Sequence, residues 1–451
     1  MLISSYWFCL SAGVKCGATL LFTTIVSYIS AIALERTGSN KQRKLILVLS
    51  IIVCCSGLFA FKYLNFFFST VTDLLSVFTI HLNPLTLELV LPIGISFYTF
   101  STISYIIDVY KGKIAAEHNF GIYAVFAAFF PKLIAGPIER AEKLIPQLKQ
   151  EKRFDCQQGI SGLKLILWGF FKKLVIADTL IIYVDPVFGS ISQYRGFALI
   201  LAAFFFTIQI YCDFSGYSDI ARGTAKLFGF DLMDNFKCPY FSCSVKEFWR
   251  RWHISLSSWF RDYIYIPLGG SRVAKPREYF NLIVTFLCSG LWHGANWTFI
   301  FWGGLHGLAQ AIEKMLGIKS HKKRGGITWW FHCAVVFVFV GCAWVFFRSD
   351  SFGDAVYLFV HMFDGIDSFG TYLFNGFNDI CMNKGALVTC IVLLLPLIIY
   401  DYVSARFECD AGEILAKKSS AIQWFIYVVI GCLVVFLSQK GVAAKFVYMQ
   451  F

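Results

Sequence analysis

Residues 279–312 read YFNLIVTFLCSGLWHGANWTFIFWGGLHGLAQAI and contain no charged side chain in 34 consecutive positions. One crossing of a bilayer needs about 20 apolar residues, so this stretch is too long for one crossing and too short for two. Backbone polar groups in lipid must be paired within the protein, which restricts the stretch to helices. Glycines at 290, 294, 303 and 304 each weaken a continuous helix by about 0.5–1 kcal/mol relative to alanine. We therefore predict a broken or strongly tilted helix pair with its break near residues 288–296.

His293 lies at this predicted break. Irregular backbone at membrane depth is tolerated only where it is buried in protein or lines a cavity, so the break predicts a cavity beside His293. An ionisable residue in the bilayer is a functional candidate, and a neutral imidazole can accept a hydroxyl proton near neutral pH. A histidine that only satisfies a carbonyl at a crowded helix junction explains the position equally well. His306 has the same ambiguity, and Asn296 could donate to an oxyanion.

The whole chain has the composition of a membrane protein, since 57% of its 451 residues are hydrophobic and 15% are charged. We predict an all-α, polytopic transmembrane bundle of about ten to twelve spans plus re-entrant or interfacial helices, in a single membrane domain over residues 1–451. Further candidate spans are 15–34, 45–63, 89–107, 119–136, 173–190, 196–212, 329–347, 385–403 and 422–440.

The net charge of +12 comes from Lys and Arg in short loops between apolar runs. This is the pattern of loops that face the cytoplasm, and it makes nucleic acid an unnecessary partner. The basic loops fall near residues 36–44, 143–153, 314–324 and 406–418. The alternation of sides fails around 119–155, and a re-entrant element near Pro131, Gly136 and Pro137 would restore it.

The longest polar stretch, residues 213–278, is predicted to be an amphipathic cytoplasmic insertion. Its segment 244–262 reads SVKEFWRRWHISLSSWFRD, where Ser244 and Glu247 have the spacing of a capping box at a helix start. One reading is a helix in the membrane interface, with aromatic residues such as Trp252 toward lipid or protein and arginines toward headgroups. The functional reading adds that Arg250 and Arg251 hold a polyanionic donor such as coenzyme A. His253 on this helix is, from position alone, more simply structural.

Four segments together resemble the membrane-bound O-acyltransferase superfamily, and most closely its bacterial alginate O-acetyltransferase-like branch. They are EFWRRWHISLSSWFRDYIYIPLGGSR (247–272), SGLWHGANWTFIFWGGLHG (289–307), LIAGPIER (133–140) and YCDFSGYSDIARG (211–223). The resemblance covers roughly residues 90–440, and the first two segments are highly specific.

The resemblance implies transfer of an acetyl group from cytoplasmic acetyl-CoA to a hydroxyl acceptor through a buried catalytic tunnel. The essential histidine of the family maps onto His293, and its second recurrent histidine maps onto His253. The acceptor would be an extracytoplasmic polysaccharide, such as alginate or another glycan, or a partner protein that relays the group. We also expect an extracytoplasmic esterase-like partner and a location in the cell inner membrane, in contact with its lipids. We expect no bound cofactor or metal. Substrate-binding roles are assigned to Trp292, Asn296, Arg250, Arg251 and Trp252.

Three alternatives remain at this point. Broken helices with polar groups near the midplane are also found in transporters and flippases, although this sequence shows no two-fold internal repeat. Acyl transfer of the D-alanyl type to a cell-wall polymer belongs to a related branch, but IPLGG after FRDYIY looks more like the polysaccharide branch. A non-catalytic scaffold would leave the long uncharged break unexplained.

Overall fold

The computed structural model describes residues 1–80, 91–134, 136–318 and 324–438, and across these ranges the secondary structure is helical with no strand. The helices are α1 Leu2–Ser11, α2 Val14–Arg36, α3 Asn40–Leu58, α4 Leu64–Val77, α5 Ile95–Tyr110, α6 Phe120–Ala128, α7 Phe130–Leu133, α8 Ala141–Lys149, α9 Cys156–Phe170, α10 Asp178–Gly189, α11 Phe197–Leu227, α12 Val245–Arg251, α13 Ile254–Phe260, α14 Lys275–His293, α15 Trp297–Met315, α16 Ile327–Arg348, α17 Phe352–His361, α18 Phe369–Asp379, α19 Lys384–Phe407, α20 Ala411–Ala416 and α21 Ser420–Leu437. Three π-helical segments, Phe59–Tyr63, Phe171–Ala177 and Arg261–Tyr265, continue the helices that precede them.

The predicted fold class, a polytopic helical membrane protein, is confirmed. Six helices within the described ranges are long and apolar enough to cross a membrane: Val14–Arg36, Asn40–Val77, Phe197–Leu227, Ile327–Arg348, Lys384–Phe407 and Ser420–Leu437. This is fewer than the ten to twelve spans counted from the sequence, because several apolar runs form shorter or interrupted helices. The run at 89–107, for example, contributes the 16-residue helix α5.

The chain divides into two compact units, and the first comprises Met1–Ile160 and Thr224–Met233. In this unit α2 packs against α3, α5 and α6. Ser27 of α2 donates its hydroxyl to the carbonyl oxygen of Thr23 and accepts a hydrogen bond of 2.6 Å from the Tyr123 hydroxyl of α6. Hydroxyls that bond to the preceding helical turn let polar residues lie inside apolar helices at little cost.

The segment 119–136, which the sequence suggested as a span or a re-entrant element, is interrupted. Helix α6 ends at Ala128, Phe129 leaves the helical conformation, and the four-residue helix α7 follows with Pro131 in its first turn. Gly94 lies against this break with a φ of +74°, and a Cβ at Gly94 would overlap the carbonyl oxygen of Leu133. Only glycine meets both conditions without strain. Whether the segment re-enters a membrane stays a prediction.

The second unit comprises Ser161–Gly223 and Asp234–Phe451. Its core contains buried apolar residues from α10, α11, α12, α15, α16 and α19. Two neighbouring lysines are also buried in this unit. Lys172 pairs with Asp219 at 2.6 Å, and Lys173 pairs with Asp213 at 2.6 Å. Buried charges persist only when they are paired in this way.

The expectation of one continuous helix over 244–262 is wrong, whereas the position of this segment in the membrane interface stays a prediction. The segment forms α12, a turn at Trp252 and His253, then α13 and a π-helical segment, and most of its aromatic residues are buried within the second unit. Helix α11 continues past residue 213, the proposed start of the insertion, as far as Leu227, and the cytoplasmic insertion 213–278 itself stays a prediction. Ser244 does cap the start of α12, since its hydroxyl accepts from the Glu247 backbone N–H at 3.0 Å.

Candidate active site

The uncharged stretch folds into a hairpin of α14 and α15, which are 19 residues each. Helix α14 ends at His293, three residues connect the helices, and Asn296 caps α15 by accepting a hydrogen bond of 3.0 Å from the Thr298 backbone N–H. The break therefore lies where the sequence predicted it. The expectation that the stretch is too short for two helices was wrong. Both helices extend beyond the uncharged residues into the charged flanks and include Lys275 and Lys314.

Glycines allow the two helices of the hairpin to approach closely. A Cβ at Gly290 would overlap the carbonyl oxygen of Phe299, and a Cβ at Gly303 would overlap the carbonyl oxygen of Phe286. Small residues at a helix–helix interface are the usual means by which membrane helices bring their backbones together. The glycines that seemed only to weaken a helix are thus the contact surface of the hairpin.

His293, at the end of α14, is 4% exposed and is surrounded by aromatic rings. Its ring centroid lies 4.9 Å from Trp292, 5.1 Å from Trp302 and 5.4 Å from Phe347, with each pair of rings nearly perpendicular. Such edge-to-face packing holds the imidazole in one orientation. A group fixed in this way can meet a substrate without further ordering.

The turn between α12 and α13 brings a second histidine to the same place. His253 is 0% exposed, and its ring centroid lies 6.4 Å from that of His293 and 6.1 Å from that of Trp292. Phe214 of α11 packs edge-on against the His253 ring at 4.7 Å. The two histidines that the family resemblance selected are therefore neighbours in space, although 40 positions separate them in the chain.

His306 of α15 has a different environment. The Trp249 indole N–H donates to His306 Nδ1 at 3.2 Å. An indole nitrogen can only donate, so Nδ1 accepts and the ring proton of neutral His306 lies on Nε2. His306 also contacts Trp302, whose ring packs against His293 on another side. His306 is thus held through Trp249 and supports the aromatic wall beside His293.

The predicted substrate-binding residues do not share one location. Trp292 contacts both His293 and His253, whereas Trp252 is fully buried between Phe248 and Trp344. Asn296 lies at the tip of the hairpin, where its amide also donates to the Asp350 carbonyl oxygen at 2.9 Å. Both functional groups of the Asn296 amide therefore have partners in the protein. Their roles toward a substrate stay predictions.

The two arginines of α12 also differ. Arg251 pairs with Glu247 at 2.6 Å and is largely buried, whereas the Arg250 side chain is exposed. Burial lowers the pKa of the neighbouring Lys246, and the positive charges of Arg250 and Lys314 lower that pKa further. The contributions of Arg250 and Lys314 show that basic side chains lie close together at the surface of α12, where they can attract an anion.

Helix α12 connects that positive surface with the histidines. At its start the Lys246 backbone N–H donates to Glu313, near the charged end of α15, at 3.0 Å. Its middle contacts His306 through Trp249, and its end leads into His253 beside His293. One short helix thus contacts both the charged surface and the buried histidines.

Sequence reasoning missed two kinds of residue near this site. Asn235, which hydrogen-bonds the backbone after His253, lies in a polar loop with no recognisable motif. The buried pairs of Lys172 and Lys173 were also missed, although charged residues inside an apolar run are a signal that could have found them.

Comparison with known proteins identifies the family. Residues 113–349 match the model of the membrane-bound O-acyltransferase family. The chain is 40% identical over 426 residues, 93% of its own length and 79% of the relative's, to the probable alginate O-acetylase AlgI of Pseudomonas aeruginosa. It is 34% identical to the peptidoglycan O-acetyltransferase of Helicobacter pylori, over 79% of this chain and 72% of that one.

A more distant relative is the teichoic acid D-alanyltransferase of Streptococcus thermophilus, which is 29% identical over 52% of this chain and 61% of its own. Extended similarity to acyltransferases, six apolar helices and two adjoining buried histidines agree with one another. The chain belongs to the membrane-bound O-acyltransferase family and is a multi-pass membrane acyltransferase.

Proposed function

We propose that this enzyme transfers an acetyl group from acetyl-CoA to a hydroxyl of an extracytoplasmic polysaccharide, in the cell inner membrane. The observation that carries the proposal is the pair His253 and His293, buried 6.4 Å apart within a chain of this family. The relatives named for alginate and peptidoglycan O-acetylation, at 40% and 34% identity, support acetyl as the group and a glycan as the acceptor.

In the proposed reaction His293 acts as the general base. The acceptor hydroxyl oxygen attacks the thioester carbonyl carbon while His293 takes the hydroxyl proton. The tetrahedral intermediate then collapses, the carbon–sulfur bond breaks, and the proton passes from His293 to the departing thiolate of coenzyme A. The products are an acetyl ester and free coenzyme A, so no proton is gained or lost overall. The aromatic rings around His293 exclude water, which would otherwise hydrolyse the thioester.

The donor would bind through its phosphates at the exposed face of α12. Lys246 and Arg250 have exposed side chains there; partial burial of the Lys246 ammonium is the larger cause of its lowered pKa, and the charge of Arg250 lowers that pKa further. Arginine and lysine are the usual phosphate-binding side chains. The positive-inside pattern assigns the basic loop near 314–324 to the cytoplasm, the compartment that contains acetyl-CoA. The long arm of coenzyme A would follow α12 inward to His293 through the predicted tunnel.

The acceptor would reach His293 from the opposite side, either directly or through an esterase-like extracytoplasmic partner that accepts the acetyl group first. Both routes end on a hydroxyl and need the same base. D-alanyl transfer is the weaker alternative, because the D-alanyltransferase relative matches 52% of the chain, against 93% for the alginate relative.

The test is acetyl transfer by the purified protein in proteoliposomes. Labelled acetyl-CoA is supplied on one side, and alginate or peptidoglycan fragments are supplied on the other. We expect labelled ester with wild type and near-background label with His293→Ala, at unchanged expression and unchanged thermal stability in detergent. His293→Gln keeps a hydrogen-bonding group without a base and should be equally inactive. Wild-type turnover by His293→Ala would refute the mechanism, and transfer only from a D-alanyl thioester would refute the choice of acyl group.

A further inference from the structure

The backbone around His253 adopts an unusual conformation. His253 has φ 41° and ψ 54°, in the left-handed region. For a residue with a Cβ this conformation is unfavourable, and it persists only where the surrounding structure enforces it, often at a functional site. Contacts with other parts of the chain must therefore hold His253 in this backbone conformation.

The segment that holds this turn is residues 235–238. The Ile254 backbone N–H donates to the Asn235 carbonyl oxygen at 3.0 Å, and the Lys237 backbone N–H donates to the Arg251 carbonyl oxygen at 2.9 Å. These two bonds lie on either side of His253. Cys238, at the end of the segment, also has a left-handed backbone conformation, with φ 49°.

The side chain of Asn235 makes the contact that matters most. The first backbone N–H groups of any helix lack partners within the helix and are normally capped by the side chain of the residue before it. That residue is His253 for α13, and its side chain does not cap. Asn235 does so instead, with Oδ1 accepting from the Ser255 backbone N–H at 3.2 Å and its carbonyl oxygen accepting from Ile254.

We propose that Asn235 is a positioning residue for the acyltransferase reaction. By capping α13 from another part of the chain, it removes that task from His253 and fixes the imidazole 6.4 Å from the ring of His293. Asn235 is 1% exposed, so water does not compete for these hydrogen bonds. The inference rests on the proposed function, because it assigns Asn235 a role through His253 in that reaction.

The test is a double-mutant cycle of Asn235→Ala and His253→Ala, measured as kcat for acetyl transfer with the whole enzyme. Misplacement of a reacting group by about 1 Å can cost up to about a hundred-fold in rate. We expect Asn235→Ala to lower kcat about as much as His253→Ala, roughly ten-fold, with KM for acetyl-CoA changed less than about two-fold. In the His253→Ala background, Asn235→Ala should cost less than about two-fold more, because its target is already gone.

Asn281→Ala is the matched control. Asn281 is also a fully buried asparagine, but its amide donates to the Gly270 carbonyl oxygen at 3.3 Å, away from His253. Any effect of Asn281→Ala should be the same in both backgrounds. Asn235→Asp keeps an oxygen that can accept from Ser255 and should recover more kcat than Asn235→Ala. If Asn235→Ala does not fold, Asn235→Ser replaces it, since its shorter side chain also loses the bond.

Two results would overturn the inference: equal losses from Asn235→Ala in both backgrounds, or wild-type kcat in the single variant. Failure of the proposed function has a separate signature, which is the absence of acetyl transfer by wild type or full activity in His293→Ala. The double-mutant cycle is therefore interpreted only after acetyl transfer by wild type and its loss in His293→Ala have been measured.

Discussion

The hairpin of α14 and α15 and the stretch 244–262 both have apolar and aromatic sequences, yet contacts of different range in the chain determine their structures. The structure of the hairpin is determined by features that are close together in the sequence. These are 34 uncharged residues, several glycines, and a break that ends one helix at His293 and starts the next at Trp297. The other stretch is governed by distant partners. Its aromatic face packs against α15 and α16, whereas the sequence pattern suggested the membrane interface.

The comparison predicts that the hairpin is sensitive to added volume at one glycine and insensitive at the next. A Cβ at Gly303 would overlap the Phe286 backbone, whereas a Cβ at Gly304 would meet only Leu287 at 3.4 Å. We expect Gly303→Ala to lower the free energy of unfolding by about 1–3 kcal/mol or more. Gly304→Ala should leave the free energy of unfolding unchanged or raise it by up to about 1 kcal/mol, the helix-propensity gain of alanine over glycine.

The measurement is thermal unfolding in detergent, combined with the yield of folded protein from membranes. This is the largest effect expected among the hairpin and insertion variants, because a separated hairpin would also displace His293 from Trp302 and so lose activity. Equal melting temperatures for the two variants would mean that the close approach of α14 and α15 is not what holds the hairpin together.

The helix pair, its break and the two histidines could be predicted from the sequence alone. Each of them depends on residues that are close together in the chain or that form a recognised motif. The sequence alone could not predict that the stretch 244–262 divides into α12 and α13. Periodicity reports which residues are apolar, and a lipid-facing ring and a protein-facing ring give the same pattern. Nor could it find Asn235, whose bonds to Ile254 and Ser255 join residues about 20 positions apart through backbone geometry.

The second prediction concerns the turn that the sequence could not foresee. His253→Ala removes the imidazole and leaves an alanine in a left-handed conformation, whereas asparagine tolerates that conformation better. We expect both His253→Ala and His253→Asn to lower kcat about ten-fold, with His253→Asn the more stable of the two. Kinetics and thermal unfolding of the pair separate the imidazole from the backbone.

Complete loss of turnover in the stable His253→Asn variant would show that His253 shares the chemistry with His293 and does not merely assist it. Wild-type turnover in that variant would show the reverse, that the turn serves packing alone.

The smallest effects are expected at the two arginines of α12, which the sequence treated as one pair. Arg250 is exposed beside Lys246, so Arg250→Gln should raise KM for acetyl-CoA by about three- to ten-fold, which corresponds to about 0.7–1.4 kcal/mol of binding, with kcat and stability unchanged.

Arg251→Gln should leave KM within about two-fold. It would lower stability instead, because it leaves the largely buried Glu247 carboxylate without its 2.6 Å partner. Steady-state kinetics at several salt concentrations checks both variants, since screening weakens an exposed phosphate contact far more than a buried pair. An unchanged KM in Arg250→Gln would remove the exposed face of α12 as the donor site and leave α12 with only the packing that joins it to α15.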